Sequence, residues 1–330
     1  MTNVKLGLVR EQVDLKQYNW FGLGGLARYF SEPKTLGELT EVISWAKNQS
    51  LVIRLLGQGA NVLISDSGFN GLIIKLALFE MAHEDYDDEF VLLSASAGCY
   101  LESVISYMFD RAKCVGLEEF SGIPSSIGGA LFINLHYFEF LISMFVLRAT
   151  VYDIKNAEMK TVDREWFQFG YDDSIMKRDR NFILINATFK LKKADPVAVA
   201  FAQGRNVEII RHRRSRYPSE KTCGCFFKNF SSEDQNVLLN GEGKKILAAG
   251  YYIDQLGLKG TLSRGHSFIS PKHANMITHD GEGTATEIIE IARTVQKEVF
   301  KAFRLYLEPE CELIGFDNYP LYTTKELLEL

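Results

Sequence analysis

Short apolar runs with strand periodicity alternate with helical segments along this chain, and this alternation limits the fold more than any other feature. The run VLLSASAG at 91–98 is strand-like, and a helical pattern follows it at about 101–115. The β-branched run at 181–193 alternates as a strand does, and the segment at 198–214 is helical again. This order predicts an α+β fold.

Local signals predict where elements begin and where domains end. Thr35 with Glu38, and Thr284 with Glu287, have the spacing of capping boxes that open helices, the second running to about Phe303. The runs at 51–56, 71–76 and 147–156 predict strands. The pattern turns polar near 77–90 and 193–200, so we expect three domains at 1–78, 79–195 and 196–330.

Composition excludes several classes of protein. The 330 residues are 46% hydrophobic, enough for a large core, and the net charge of -5 gives no overall basic field for nucleic acid. No apolar run reaches the roughly 18–20 residues that span a bilayer, and the N-terminal residues lack a secretory apolar core. We therefore expect a cytoplasmic protein that uses neither nucleic acid nor a membrane.

The cysteines predict neither disulfides nor a metal site. Five are present, an odd number, and none is in CxxC spacing: Cys99, Cys114, Cys223, Cys225 and Cys311. Disulfide frameworks and tetrahedral zinc sites need paired cysteines. We expect reduced thiols and no bound metal.

Two glycine-rich segments suggest a phosphate-containing cofactor. Leu56–Val62 reads LGQGANV, and Ser121–Ala130 reads SGIPSSIGGA. Glycines let backbone N–H groups approach a phosphate, and hydroxyls add donors. The first segment matches neither a Rossmann fingerprint nor a Walker A loop. A tight structural turn and a tightly packed loop are the alternatives for each segment alone, but two in one chain favour a nucleotide cofactor.

These segments also carry a resemblance to a known family. Eight motifs, spread over about residues 18–315, resemble in order and spacing the signatures of UDP-N-acetylenolpyruvoylglucosamine reductases. The FAD-domain motifs are 19–25, 57–71 and 121–129, and the substrate-domain motifs are 169–174, 224–229, 248–260, 272–275 and 307–310. The chain is similar to the shorter, type II branch because it lacks an extra tyrosine-bearing segment before Arg216.

The resemblance implies a fold, cofactors and a reaction. Domains 1–78 and 79–195 would form an FAD-binding region like that of vanillyl-alcohol oxidase, and 196–330 would bind a UDP-sugar. NADPH would reduce FAD, and the enolpyruvyl sugar would become UDP-N-acetylmuramate; we expect a monomer. The implied FAD contacts are Gly57, Gln58, Gly59, Ala60, Asn61, Val62, Ser121, Gly122, Ile123, Pro124, Gly128 and Gly129.

Two residues match the family's proton-donating groups. Cys225 occupies the position of a catalytic serine, and Glu310 aligns with a catalytic glutamate. A thiol with a reference pKa of about 8.5 is mostly protonated at neutral pH, so it can donate a proton. Without their motifs, Cys225 would be interpreted as a small core residue and Glu310 as a surface residue.

The largest departure is Asp172, which stands where the family has a catalytic arginine. An arginine would stabilise the substrate carboxylate, whereas an aspartate repels it. Lys177, Arg178 or Arg180 could substitute. His136–Glu139 also replaces the family's Gly-Ala-Tyr-Gly segment, and His136 is either a compensating cation or proton donor, or a structural histidine.

Further residues are implied to bind the substrate, namely Tyr171, Arg216, Lys228, Asn229 and His273. The planar guanidinium of Arg216 suits phosphate, although a solvated helix face is the alternative for its neighbours. Three functions stay open: an active reductase of the family, a related flavoprotein oxidoreductase with another substrate, and a non-catalytic flavin-binding protein. Asp172 is the residue that motivates the second and third.

Overall fold

The computed structural model describes residues 7–329. Its α-helices are α1 Leu36–Asn48, α2 Leu101–Tyr107, α3 Ile127–Phe132, α4 Ile175–Arg178, α5 Pro196–Arg216, α6 Ala249–Gln255, α7 Ala285–Phe303 and α8 Thr324–Leu328. Its strands are β1 Arg10–Asp14, β2 Leu26–Ser31, β3 Ile53–Leu55, β4 Val62–Ile64, β5 Phe69–Ile74, β6 Met81–Asp85, β7 Phe90–Ser96, β8 Cys114–Val115, β9 His136–Tyr137, β10 Phe140–Leu141, β11 Val146–Asp153, β12 Glu158–Asp163, β13 Phe182–Lys193, β14 Ser263–Arg264, β15 Ser267–Ile269, β16 Ile277–His279 and β17 Glu312–Ile314.

These elements form two compact units, each made of separate stretches of chain. The first unit comprises Met1–Glu11, Tyr29–Gln58 and Gly71–Ser215. The second unit comprises Gln12–Arg28, Gly59–Asn70 and Arg216–Leu330. Both therefore contain early and late parts of the sequence.

The first unit is built around an antiparallel sheet in the order β12-β11-β13-β7-β6, with β8 also paired to β13. Strand β13 is the longest and lies between β11 and β7. Its buried residues Leu184, Ala187 and Phe189 join a core with α2 and α3. The strand predicted at 181–193 is confirmed, but it is buried on both faces, since Ile183–Ile185 and Ala187–Phe189 are runs of consecutive buried residues.

A second core in the first unit lies under α1. Thr35 caps this helix by accepting a hydrogen bond from the Glu38 backbone N–H at 3.1 Å, as its sequence predicted. The buried face of α1, including Leu39 and Ile43, packs with residues of the parallel pair β3–β5. Both predicted strands are thus confirmed. The one predicted at 51–56 is the shorter β3, and the one predicted at 71–76 is β5, which begins and ends two residues earlier.

The second unit is organised by α7. Thr284 and Glu287 form both bonds of the predicted capping box, and the helix ends at Phe303 as expected. Its apolar face packs against the antiparallel sheet β14-β15-β16 and shares a core with α6. Strand β4 pairs in parallel with β17, with Val62 opposite Glu312. This pairing places an early glycine-rich segment beside the C-terminal motif.

The mixture of helices and antiparallel sheets confirms the α+β prediction. The helix expected at about 101–115 is shorter, because α2 continues into a π-helical turn at Met108–Ala112 and Lys113 then adopts a left-handed conformation. The division into 1–78, 79–195 and 196–330 stays a prediction. No helix within residues 7–329 is both long and apolar enough to cross a bilayer.

Candidate functional site

In the first unit, Gly57 approaches the start of α3 closely. A Cβ at Gly57 would lie 2.6 Å from the Ser126 hydroxyl oxygen, and that hydroxyl caps α3 by accepting from the Gly129 N–H at 3.1 Å. The Gly57 carbonyl accepts a hydrogen bond from the Lys75 ammonium at 2.6 Å. The two glycine-rich segments therefore meet at Gly57 and Gly129, which supports one shared binding surface.

The first part of the 121–129 loop is fixed by the protein itself. Ser121 is fully buried; its hydroxyl donates to the Glu118 carbonyl at 2.5 Å and accepts from the Asn206 amide at 2.7 Å. Gly122 has φ +72 and donates its N–H to the Glu102 carboxylate at 3.1 Å. These bonds hold the loop, so a direct contact between Ser121 and a phosphate stays a prediction.

In the second unit, Gly59 and Asn61 lie beside the C-terminal motif. Gly59 has φ +69, and a Cβ there would lie 2.2 Å from the Tyr18 carbonyl oxygen. The Asn61 carbonyl accepts from the Glu312 N–H at 3.0 Å, and its amide lies 3.5 Å from the Glu310 carbonyl oxygen. The Asn61 side-chain oxygen is buried and accepts no hydrogen bond from any residue in 7–329. An unmatched acceptor of this kind suits a ligand donor.

The same unit brings Cys225 and Glu310 together. The Glu310 N–H donates to the carbonyl of Phe226, the residue after Cys225, at 2.8 Å. Cys225 is partly exposed, whereas the other four cysteines are buried. Burial, then a hydrogen bond with Cys311, raises the pKa of Cys223 well above its usual value, and Glu310 and Cys225 add smaller charge effects. The two predicted proton donors are therefore neighbours.

Asn275 fixes the strand-like segment after Cys225. It is buried; its side chain accepts from the Phe227 N–H at 3.0 Å and donates to the Phe227 carbonyl at 2.7 Å. Its own carbonyl accepts from the Phe226 N–H at 2.8 Å. The sequence comparison placed Asn275 in a motif but assigned it no role. A buried asparagine among apolar residues was the available signal.

Replacing Asn275 with alanine is expected to lower the free energy of unfolding by about 3 kcal/mol, because two buried backbone groups of Phe227 lose their partners. Urea denaturation followed by circular dichroism measures this change. As a control, Asn236→Ala removes one exposed amide bond to the Arg304 carbonyl and should cost less than about 1 kcal/mol. Equal effects in the two variants would contradict the assigned role.

The predicted substrate residues of the second unit fall into separate groups. Arg216 and Lys259 lie close enough to His273 for their charges to lower its pKa. Tyr217 packs against His273, with the ring centroids 5.7 Å apart. Lys228 pairs with Glu308 at 3.2 Å. Asn229 contacts the start of α6, where its side-chain oxygen accepts a hydrogen bond from the Ala249 N–H at 3.1 Å.

His273 is neutral near pH 7. Burial, ahead of the charges of Arg216 and Lys259, lowers its pKa from 6.5 to about 4. The unfolded chain therefore binds a proton between these pH values that the folded chain does not, so stability should fall as pH drops from 6.5 to 4, by at most on the order of 3 kcal/mol. His273→Gln should flatten this part of a urea-denaturation pH profile, and an unchanged slope would refute the assignment.

In the first unit, Asp172 is buried rather than exposed to a ligand. Its side chain is 1% exposed, and its Oδ1 lies 3.2 Å from His136 Nδ1. Asp172 itself has φ +49, and the Lys177 ammonium donates to its backbone carbonyl at 2.9 Å. The neighbouring Tyr171 is exposed and its ring lies 4.8 Å from that of His136. The sequence led us to expect that the Asp172 carboxylate would repel the carboxylate of the substrate, but this side chain is buried in the protein.

Comparison with known proteins now identifies the family. Residues 27–162 match an FAD-binding domain, and residues 216–314 match the C-terminal domain of UDP-N-acetylenolpyruvoylglucosamine reductase. The reductase of that name from Caldicellulosiruptor bescii is 32% identical over 309 residues, 93% of this chain and 91% of that protein. The chain belongs to the UDP-N-acetylenolpyruvoylglucosamine reductase family.

Another relative and a solved structure of the same reductase family are also similar to this chain over most of its length. The Agathobacter rectalis enzyme is 30% identical, with 94% of this chain and 95% of that protein covered. The crystal structure of UDP-N-acetylenolpyruvylglucosamine reductase (MurB) from Thermus caldophilus superposes with a TM-score of 0.73 at 29% identity, covering 93% of this chain and 99% of that one. The predicted resemblance and the FAD-binding fold are therefore confirmed. The individual site residues stay predictions.

The part of the chain from residue 7 to 329 holds no cluster of three or more potential metal ligands of the His, Cys, Asp and Glu types. The residues present instead fit a flavin nucleotide. In the second unit, the buried side-chain oxygen of Asn61 is an acceptor without a protein donor in residues 7–329, which suits the N–H or O–H groups of such a ligand.

Proposed function

We propose that this protein is an FAD-dependent reductase that converts UDP-N-acetylglucosamine enolpyruvate to UDP-N-acetylmuramate, a peptidoglycan precursor, with NADPH as the reductant. The observation that carries the proposal is the assembly of Asn61, Cys225 and Glu310 in one unit of a chain from this reductase family. Relatives that span more than nine-tenths of the chain carry the same enzyme name.

FAD would be held by the two glycine-rich segments. The candidate residues are Gly57, Gln58, Gly59, Ala60, Asn61, Val62, Ser121, Gly122, Ile123, Pro124, Gly128 and Gly129. Gly57 and Gly59 keep these segments in place, because a Cβ would clash with the Ser126 hydroxyl at Gly57 and with the Tyr18 carbonyl at Gly59. When bound, FAD supplies the two-electron chemistry of the reduction.

Cys225 would supply the proton, and Glu310 would act beside it. Saturating a carbon–carbon double bond requires a proton as well as a hydride equivalent, so a donor must lie next to the substrate. Cys225 is partly exposed, whereas the other four cysteines are buried. The bond from the Glu310 N–H to the Phe226 carbonyl holds the two chain segments in register. We assign Cys225 as the donor and Glu310 as the acid that polarises the substrate carboxylate.

The substrate would be recognised by the residues that match the family's substrate-binding positions. Arg216 offers a guanidinium for phosphate, and neutral His273 offers a ring N–H, because its Nδ1 accepts a hydrogen bond from the Asn275 N–H at 3.3 Å. The further candidates are Tyr171, Lys228 and Asn229. We also propose that the protein is a monomer and acts in the cytoplasm. Its partners there would be small molecules, NADPH and a UDP-sugar.

Turnover of defined substrates tests the proposal. Flavin-loaded protein is mixed with NADPH and the enolpyruvyl sugar, and both NADPH consumption and the muramate product are measured. UDP-N-acetylglucosamine, which lacks the enolpyruvyl group, is the matched control substrate. NADPH consumption that is the same with either sugar and yields no muramate would reject the proposal.

The second candidate is a related flavoprotein oxidoreductase with another anionic substrate. The observation that favours it is the replacement of an arginine by Asp172 together with the bulky segment His136–Glu139. Screening substrates by reoxidation of the reduced flavin distinguishes the two. Reoxidation by the enolpyruvyl sugar alone would eliminate this second candidate.

A further inference from the structure

The turn that contains Asp172 is rigidly joined to the segment after α3. The Gly170 N–H donates to the Asp173 carbonyl at 3.0 Å, and the Gly170 carbonyl accepts from the Asn134 amide at 2.9 Å. The Ser174 hydroxyl donates to the Phe132 carbonyl, the last residue of α3, at 2.8 Å. Both sides of the His136–Asp172 pair are therefore held in place by backbone-directed bonds.

The buried carboxylate of Asp172 lacks a hydrogen-bond donor. His136 Nδ1 is at ion-pair distance, 3.2 Å, but the geometry is not that of a hydrogen bond, and neither carboxylate oxygen has a donor among residues 7–329. A buried charge of this kind is costly unless a cation lies beside it. His136 is the basic side chain that lies beside this carboxyl group.

The basic residues of this turn that the sequence suggested as substitutes are engaged in other contacts. The Lys177 ammonium donates to the Asp172 backbone carbonyl at 2.9 Å. Arg178 pairs with the Asp173 carboxylate and donates to the Gln168 carbonyl at 3.2 Å. The Arg180 guanidinium lies 4.6 Å from the centre of the Phe132 ring. Of these side chains, none takes the position beside the Asp172 carboxylate that His136 holds.

His136 also has a surface that a ligand can reach. Its side chain is 24% exposed, and its ring is tilted at 41° against the ring of the exposed residue Tyr171. Of the two imidazole nitrogens, Nδ1 is the one that lies beside the Asp172 carboxyl group, 3.2 Å from its Oδ1. This leaves Nε2–H as the donor for a bound anion.

We propose that His136, oriented by Asp172, binds the carboxylate of the enolpyruvyl group through Nε2–H and so replaces the missing guanidinium. His136 is then a substrate-binding residue and Asp172 a positioning residue. The pair keeps the acidic side chain buried and away from the anion, while the imidazole ring of His136 faces it. This inference rests on the proposed function, because that function supplies the substrate with a carboxylate.

The test compares two sugars that differ in this carboxylate. Calorimetry measures the dissociation constants of the enolpyruvyl sugar and of UDP-N-acetylglucosamine for the oxidised, flavin-loaded protein. His136→Ala should weaken binding of the enolpyruvyl sugar by about 10- to 100-fold and leave UDP-N-acetylglucosamine within about 2-fold. Asp172→Asn should cause a similar selective loss, but little additional loss when combined with His136→Ala.

His266→Gln is the control, since His266 forms a 2.9 Å pair with Asp280 on the exposed surface. It should change neither constant. The milder variant His136→Gln, checked by thermal unfolding, replaces His136→Ala if the latter does not fold. If His136→Ala weakens the binding of both sugars equally, or of neither, the inference about His136 is wrong. The proposed function still stands in that case as long as the wild-type protein turns over the enolpyruvyl sugar. Wild-type protein that does not prefer the enolpyruvyl sugar would overturn the inference, and absent turnover would separately reject the function.

Discussion

Replacing Cys225 with alanine is expected to lower kcat for the enolpyruvyl sugar by about 10²- to 10⁴-fold, the usual contribution of a positioned proton donor. Cys225 is the partly exposed cysteine, and the Glu310 N–H bonds to the carbonyl of the next residue. The substitution removes a proton donor and a small side chain. KM should change much less, because the thiol acts on the reacting carbon and not on the nucleotide.

Cys225→Ser is the matched variant, since a hydroxyl also carries a proton. It should retain much of the activity that Cys225→Ala loses. Cys114→Ala is the control elsewhere in the chain, because Cys114 is fully buried and burial raises its pKa to about 12. Steady-state kinetics with NADPH measure all three. A Cys225→Ala enzyme with wild-type kcat would remove Cys225 from the mechanism.

Replacing Gly59 with alanine is expected to abolish flavin binding, and with it all activity. The residue has φ +69, where an L side chain is strained, and its Cβ would lie 2.2 Å from the Tyr18 carbonyl oxygen. The backbone of the 59–62 segment would have to move, since the clash is with a backbone atom. Visible absorption of the purified protein, with and without added FAD, measures the loss.

Gly204→Ala is the matched control for this change. Gly204 lies inside α5, and nothing lies within 4 Å of a Cβ built there. Alanine should keep the flavin and stabilise the helix by up to about 1 kcal/mol. A Gly59→Ala protein that remains folded and yellow would show that the 59–62 segment does not hold the cofactor.

The sequence predicted local structure well because the determining contacts are local. Thr35 and Thr284 cap their helices through residues three positions away. The apolar and β-branched residues of β13 predicted a strand from their own sequence. The structure shows the same kind of local cap at α8, which begins at a capping box formed by Thr323 and Glu326. Such signals require no knowledge of the rest of the fold.

Contacts between distant residues were not predictable in the same way. The pairing of His136 with Asp172 and the bonds of Asn275 to Phe227 join residues 36 and 48 positions apart. The sequence therefore predicted that Asp172 would repel the substrate carboxylate, whereas the structure buries it. Each of the two units is likewise made of separate stretches of chain, such as Tyr29–Gln58 and Gly71–Ser215 in the first unit, and no local signal in the sequence predicts such an arrangement.

The most direct measurement of the central claim is the oxidative half-reaction. Protein reduced anaerobically with NADPH and freed of excess nucleotide is mixed with the enolpyruvyl sugar, and the visible flavin absorption is followed. We predict that the yellow colour returns rapidly and that one muramate product forms per flavin. A flavin that stays reduced with this sugar, or a protein that binds no FAD, would contradict the account.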